Sequence, residues 1–125
     1  KSDLLELMLA ATEGKLSRYK SLEWDSRACV CVVCASGGYP GEYAKDKEIS
    51  GLDAVDKMED IVVFHAGTKR QGDKIVTNGG RVLGVTGLGN TMKEAIGKTY
   101  QAIEKINFEG MHYRRDIGKK VMEAR

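Results

Sequence analysis

Fifteen glycines against a single proline constrain this 125-residue chain more than any other feature. Glycine is used where a Cβ would obstruct the backbone or where φ must turn positive. Here the glycines gather between short apolar runs rather than forming low-complexity tracts. Arg27–Ala35 (RACVCVVCA), Ile61–Thr68 (IVVFHAGT) and Arg81–Thr86 (RVLGVT) read as strands, the first as a buried one. Ser36-Gly37-Gly38-Tyr39-Pro40-Gly41 and Asn78-Gly79-Gly80 supply turn chemistry. Lys69–Asp73, centred on Gly72, reads as a hairpin loop that returns the chain through Lys74–Thr77.

Helices frame these strands. Asp3 with Glu6 makes a capping-box-like start, Leu4, Leu5, Met8, Leu9 and Thr12 recur at helical spacing, and Gly14 supplies the stop. Thr91 with Glu94 opens the best helix, and Asn90 is an alternative cap. Met92, Ala95, Ile96, Thr99, Ala102, Ile103 and Ile106 line one face of it. Residues 42–60 are polar, with one helical turn expected near Ala54–Met58, and Asp116 is placed to cap a short last helix through Ala124. The expected fold is α+β, a mainly antiparallel sheet with flanking helices, in one domain over residues 1–125.

Composition narrows the function classes. A hydrophobic share of 42% and a charged share of 30% suit a globular domain, not a disordered one. No apolar run approaches the ~18 residues of a spanning helix, so no membrane role is expected. A net charge of +2 does not point to nucleic acid. Residues 1–60 carry −4 and residues 61–125 carry +6. The cluster His112-Tyr113-Arg114-Arg115 with Lys119-Lys120 reads as a solvated basic face. Three cysteines between positions 29 and 34 make no disulfide framework and imply a reducing compartment, hence a cytoplasmic setting. No secretory leader is visible. A helix starting at the third residue of a chain without Met suggests an excised piece.

The motifs that tempt a chemical assignment are weak singly. Cys29 and Cys31 share one strand face and Cys34 the other, so three thiolates cannot converge on a metal; core packing is the expected role, and no metal is assigned. Gly84, Gly87 and Gly89 precede a helix, but Met92 occupies the third glycine position of a dinucleotide fingerprint. His65 and His112 are the only histidines, and a lone strand histidine is more often structural than catalytic. No catalytic triad can be assembled, and no catalytic residue is assigned. Gly37–Gly41, Gly67 and Gly79–Gly80 all border strands, so the fold can gather them at one sheet edge. There they would admit a ligand or another backbone, and sequence leaves the two alternatives open.

Four segments in register carry a more specific signal: ASGGYPGEY (35–43), FHAGT (64–68), GGRVLGVTGLGNTMKEA (79–95) and FEGMHYRRDIG (108–118). Together they resemble the C-terminal domain of the phosphoribosylamine–glycine ligase (glycinamide ribonucleotide synthetase) family, from Lys1 to the chain end. The resemblance implies an ATP-grasp enzyme of purine biosynthesis that uses ATP and Mg²⁺ (or Mn²⁺) to join glycine to 5-phosphoribosylamine. It also implies a C-terminal domain like that of biotin carboxylase, of rudimentary single-hybrid type, which walls the substrate cleft and is inactive without its ATP-grasp portion. By the same resemblance Ser36, Gly37, Gly38 and Tyr39 match the family's SGGYP turn, His65, Gly67 and Thr68 its HAGT, and Arg81 the arginine of GGRVL. Arg81 is the expected anion-binding residue, since a planar guanidinium suits phosphate oxygens; an interdomain salt bridge is the alternative. Asp46 stands where the family has glycine in Y-x-K-G-x-x-I, and Asp tolerates a positive φ better than most residues. Rival expectations are the C-terminal domain of another ATP-grasp ligase or carboxylase, or a free-standing binding domain.

Overall fold

A computed structural model describes residues 1–123. The elements run α1 (Leu4–Thr12), a 3₁₀ turn (Leu16–Arg18), β1 (Ala28–Ala35), α2 (Leu52–Val55), β2 (Ile61–His65), β3 (Thr68–Gln71), β4 (Lys74–Thr77), β5 (Arg81–Gly89), α3 (Met92–Ile103) and α4 (Lys119–Glu123). The α+β architecture with antiparallel pairing is as the sequence predicts. β5 is the centre of a three-stranded sheet in the order β1-β5-β2, and β3-β4 form a separate two-stranded sheet. Ala124, the expected end of the last helix, lies outside the described residues.

Two strand expectations are corrected. The run 61–68 is not one strand: β2 ends at His65, the chain turns at Ala66-Gly67, and Thr68–Gln71 pairs with Lys74–Thr77 across a tight turn where Gly72 has φ 61°. β1 is half-buried rather than buried. Val30, Val32 and Cys34 face the core, while Cys29, Cys31 and Val33 are exposed. The thiols therefore split between the faces as strand alternation requires, but only Cys34 takes the expected core position. Burial, and secondarily Cys31, pushes the Cys34 thiol up to about 11.

The core lies between the sheet and α3. Val30, Val32, Leu83 and Val85 meet Ala95, Ala102 and Ile103 there, all nearly solvent-free. α3 sits directly on β5 because Gly87 and Gly89 offer no side chain. A Cβ on Gly87 would fall 2.5 Å from Thr99 Oγ1, and one on Gly89 2.5 Å from the Ala95 nitrogen. That packing is what the non-dinucleotide glycines do. Thr91 caps α3, its Oγ1 accepting from the Glu94 N–H at 3.1 Å, while Glu94 Oε2 accepts from the Asn90 N–H at 2.9 Å. Asp60 ties the starts of β1 and β2 to the middle of α3, bridging Arg27 and, at 2.8 Å, Lys98. The hydrogen bond from Lys98 holds the Asp60 carboxyl below the usual range, and the same contact raises Lys98.

One sheet face carries α3, and the other is open. Val33 is 45% exposed, Val62 44% and Phe64 58%, with Cys29 and Cys31 beside them. Because nearly every residue of β1 is apolar, hydropathy could not distinguish its two faces.

Candidate functional site

The glycine clusters do meet at one end of the sheet, and the register explains how. Cys34 pairs with Leu83 but Ala35 with Arg81, so β5 carries one extra residue. The bulge buries both Val82 and Leu83 and turns Arg81 outward. Beyond it, the Ser36–Gly41 turn folds back over Gly79-Gly80. The Ser36 N–H donates to the Gly80 carbonyl at 2.8 Å, and Ser36 Oγ donates to the Gly79 carbonyl at 2.9 Å. The Gly67 N–H donates to the Arg81 carbonyl at 2.8 Å, and the Asn78 N–H to the Gly67 carbonyl at 2.7 Å.

Neighbouring protein fills the space these glycines leave. A Cβ on Gly67 would lie 2.6 Å from the Gly79 Cα, and one on Gly37 3.0 Å from the Gly110 carbonyl oxygen. Gly80 is covered by the Tyr39 ring, 2.1 Å from where its Cβ would stand. Of the two alternatives left open above, close approach of backbone and ring is the one observed. Gly38 has φ 92°, and the Tyr39–Pro40 peptide is cis.

What remains is a shallow hollow of about 540 Å³ on the open sheet face. Val33 and Phe64, flanking Gly84, make its apolar floor, and Tyr39, Gly67, Gly80 and Arg81 form its rim. Arg81 is exposed and, among the described residues, its guanidinium makes no hydrogen bond or ion pair. A free planar fork beside an apolar floor can donate to a carboxylate or phosphate at the rim.

Of the eight residues predicted for the site, Tyr39, Gly67 and Arg81 come together here. Ser36 is 3% exposed and spent on backbone, and Gly37 and Gly38 shape the turn. His65 lines a different hollow, between α2, β2 and the β3-β4 hairpin, and its Nδ1 is 3.0 Å from Thr68 Oγ1. Phe64 and Val33, which make the floor, were missed by sequence reasoning. No sequence signal marked them, because both strands read as uniformly apolar. Among the described residues no three His, Cys, Asp or Glu side chains gather into a metal-ligating group, and no helix is long and apolar enough to cross a membrane.

Comparisons with known proteins agree on one family. Residues 29–120 match the model described as phosphoribosylglycinamide synthetase, C domain. The phosphoribosylamine–glycine ligase of Vibrio cholerae is 53% identical over 121 residues, which is 97% of this chain and 28% of that protein. The same ligase of Escherichia coli O157:H7 is 50% identical over 124 residues, 98% of this chain and 28% of that protein. Among solved structures, the crystal structure of phosphoribosylamine–glycine ligase from Thermotoga maritima matches with a TM-score of 0.69 and 40% identity. It covers 90% of this chain and 27% of that one. The chain thus spans between a quarter and a third of the length of the relatives it matches.

Proposed function

The chain belongs to the phosphoribosylglycinamide synthetase C-domain family, corresponding to the C-terminal domain of phosphoribosylamine–glycine ligase, and on that premise we propose that it walls the substrate cleft of such a ligase. The reaction joins glycine to 5-phosphoribosylamine in purine biosynthesis. ATP transfers its γ-phosphoryl group to the glycine carboxylate, giving glycyl phosphate and ADP. The amine of phosphoribosylamine then attacks the acyl carbon, inorganic phosphate leaves, and a proton is lost from nitrogen as the amide forms. Cations must neutralise the charge that collects on the transferring phosphoryl group.

The observation that carries the reading is Arg81. A β-bulge turns its unpaired guanidinium out to the rim of the hollow, beside the ring of Tyr39. In this reading Arg81 holds an oxyanion of substrate phosphate or acyl phosphate, and the floor of Val33 and Phe64, once covered by the rest of the ligase, keeps water from the reactive mixed anhydride. Mg²⁺ or Mn²⁺ would supply further charge neutralisation. The described residues contain no donor set for it, so the metal and the ATP phosphates fall to the ATP-grasp portion of the ligase. In this reading the chain is inactive without the ATP-grasp portion that the family implies. The fold is of the biotin carboxylase C-terminal, rudimentary single-hybrid kind, supported by a three-stranded antiparallel sheet with one open face. Three free thiols support a cytoplasmic setting.

The test is substitution of Arg81 in the full-length ligase. Arg81→Ala is expected to lower kcat/KM about 30-fold, equivalent to ~2 kcal/mol, with unchanged circular dichroism. Arg81→Lys should recover only part of the loss, because an ammonium cannot reproduce a bidentate contact. Near-wild-type kinetics in both variants would remove Arg81 from the site.

A further inference from the structure

The first 26 residues contribute little to the sheet domain. α1 packs on the turn Leu16–Arg18 rather than on β1, β2 or α3. The segment is held mostly by itself: the Ser2 N–H donates to the Glu23 carbonyl at 3.1 Å, and the Glu23 N–H donates to Ser2 Oγ at 2.7 Å. Toward this inner side α1 turns Leu7 and the buried Ala10. Its outer side carries Leu4 (63% exposed), Leu5 (66%), Met8 (56%) and Leu9 (54%), and Trp24 nearby is 77% exposed. Positions i, i+1, i+4 and i+5 make one broad stripe on a helix. With Leu16 and Leu22 also exposed, this short arm leaves these seven large apolar side chains in solvent. A nine-residue helix is moreover too short to persist without tertiary packing.

Two findings say what covers it. The C-domain match begins only at residue 29, after this arm. Yet the Escherichia coli ligase aligns over 124 residues, which requires the arm to be aligned as well. The arm is therefore shared with full-length ligases but lies outside the C domain proper, and 72% of such a ligase lies beyond this chain. We infer that the Leu4-Leu5-Met8-Leu9 stripe and Trp24 are packed into that remaining part of the ligase, so that α1 is an element of its core that reaches the C domain through residues 19–27.

The inference rests on the ligase reading, and hydrogen exchange tests it. In the full-length ligase the amides of residues 7–12 should exchange at least about a hundredfold more slowly than in the 125-residue chain. Equal exchange in both would overturn it. So would protection in the 125-residue chain that grows with concentration alongside a dimer mass, which would assign the stripe to a second copy. The pair Leu5→Glu and Leu9→Glu gives an independent reading. It should lower the melting temperature of the ligase by several degrees and leave that of the 125-residue chain unchanged. An equal effect in both proteins, or none in either, would contradict the docking. A ligase assay on the same sample keeps the two claims apart: activity with unprotected α1 defeats only the docking, and inactivity with protected α1 defeats only the ligase reading.

Discussion

Asp46 sits at φ 62°, a left-handed conformation that costs most L-residues roughly 1–2 kcal/mol. Its N–H still donates to the Thr77 carbonyl at 2.8 Å, and its carboxylate pairs directly with Lys69 at 2.6 Å on the exposed surface. An exposed pair of this kind contributes little, so backbone strain decides the balance. Asp46→Gly should leave stability unchanged or raise it by up to about 1 kcal/mol, while Asp46→Val should lower it by about 1–2 kcal/mol. The urea midpoint at constant m-value reads both, and a valine variant as stable as the parent would contradict the strain. This position was legible from sequence because a glycine pattern was interrupted by a residue that tolerates the same φ. Ser36, Gly37 and Gly67 were legible only as a group. Sequence names the residues that make room, whereas whether a ligand or another strand uses that room is set by register, here by the extra residue in β5.

At the scale of elements, the contact between α3 and β5 organises the molecule, and its glycines are not equivalent. Gly87 and Gly89 lie under the helix, while Gly97 lies within it with nothing inside 4 Å of a Cβ. Gly87→Val should therefore cost about 3 kcal/mol or more by driving α3 off the sheet. Gly97→Ala should stabilise by about 0.5–1 kcal/mol through the unfolded chain's lost freedom. Chemical denaturation of the two variants checks the contrast, and destabilisation by Gly97→Ala would refute it. α1 and α3 could be placed from caps and period because both signals are local. The ends of β2 and β3 could not, since Ala66-Gly67 looks like continued strand until Gly67 is seen pressed on Gly79. The open face of β1 was hidden for a different reason: a run of valines and cysteines has no polar phase to reveal its period.

The whole molecule has one finished face and two unfinished ones. α3 closes the core on one side of the sheet, whereas the Val33-Val62-Phe64 face and the arm before residue 27 both leave large apolar side chains in water. That imbalance fits a chain that spans 28% of the length of the Vibrio cholerae ligase. Family membership was legible because four motifs fall in register. The hollow was only partly so, since its floor comes from alternate residues of strands that read as uniformly apolar. The most direct measurement mixes the 125-residue chain with a separately expressed ATP-grasp portion of the ligase. With ATP, Mg²⁺, glycine and 5-phosphoribosylamine supplied, ADP and glycinamide ribonucleotide are followed together. Product is expected from the mixture and from neither piece alone. Product from the 125-residue chain by itself, or none from a mixture whose pieces demonstrably bind, would contradict the account.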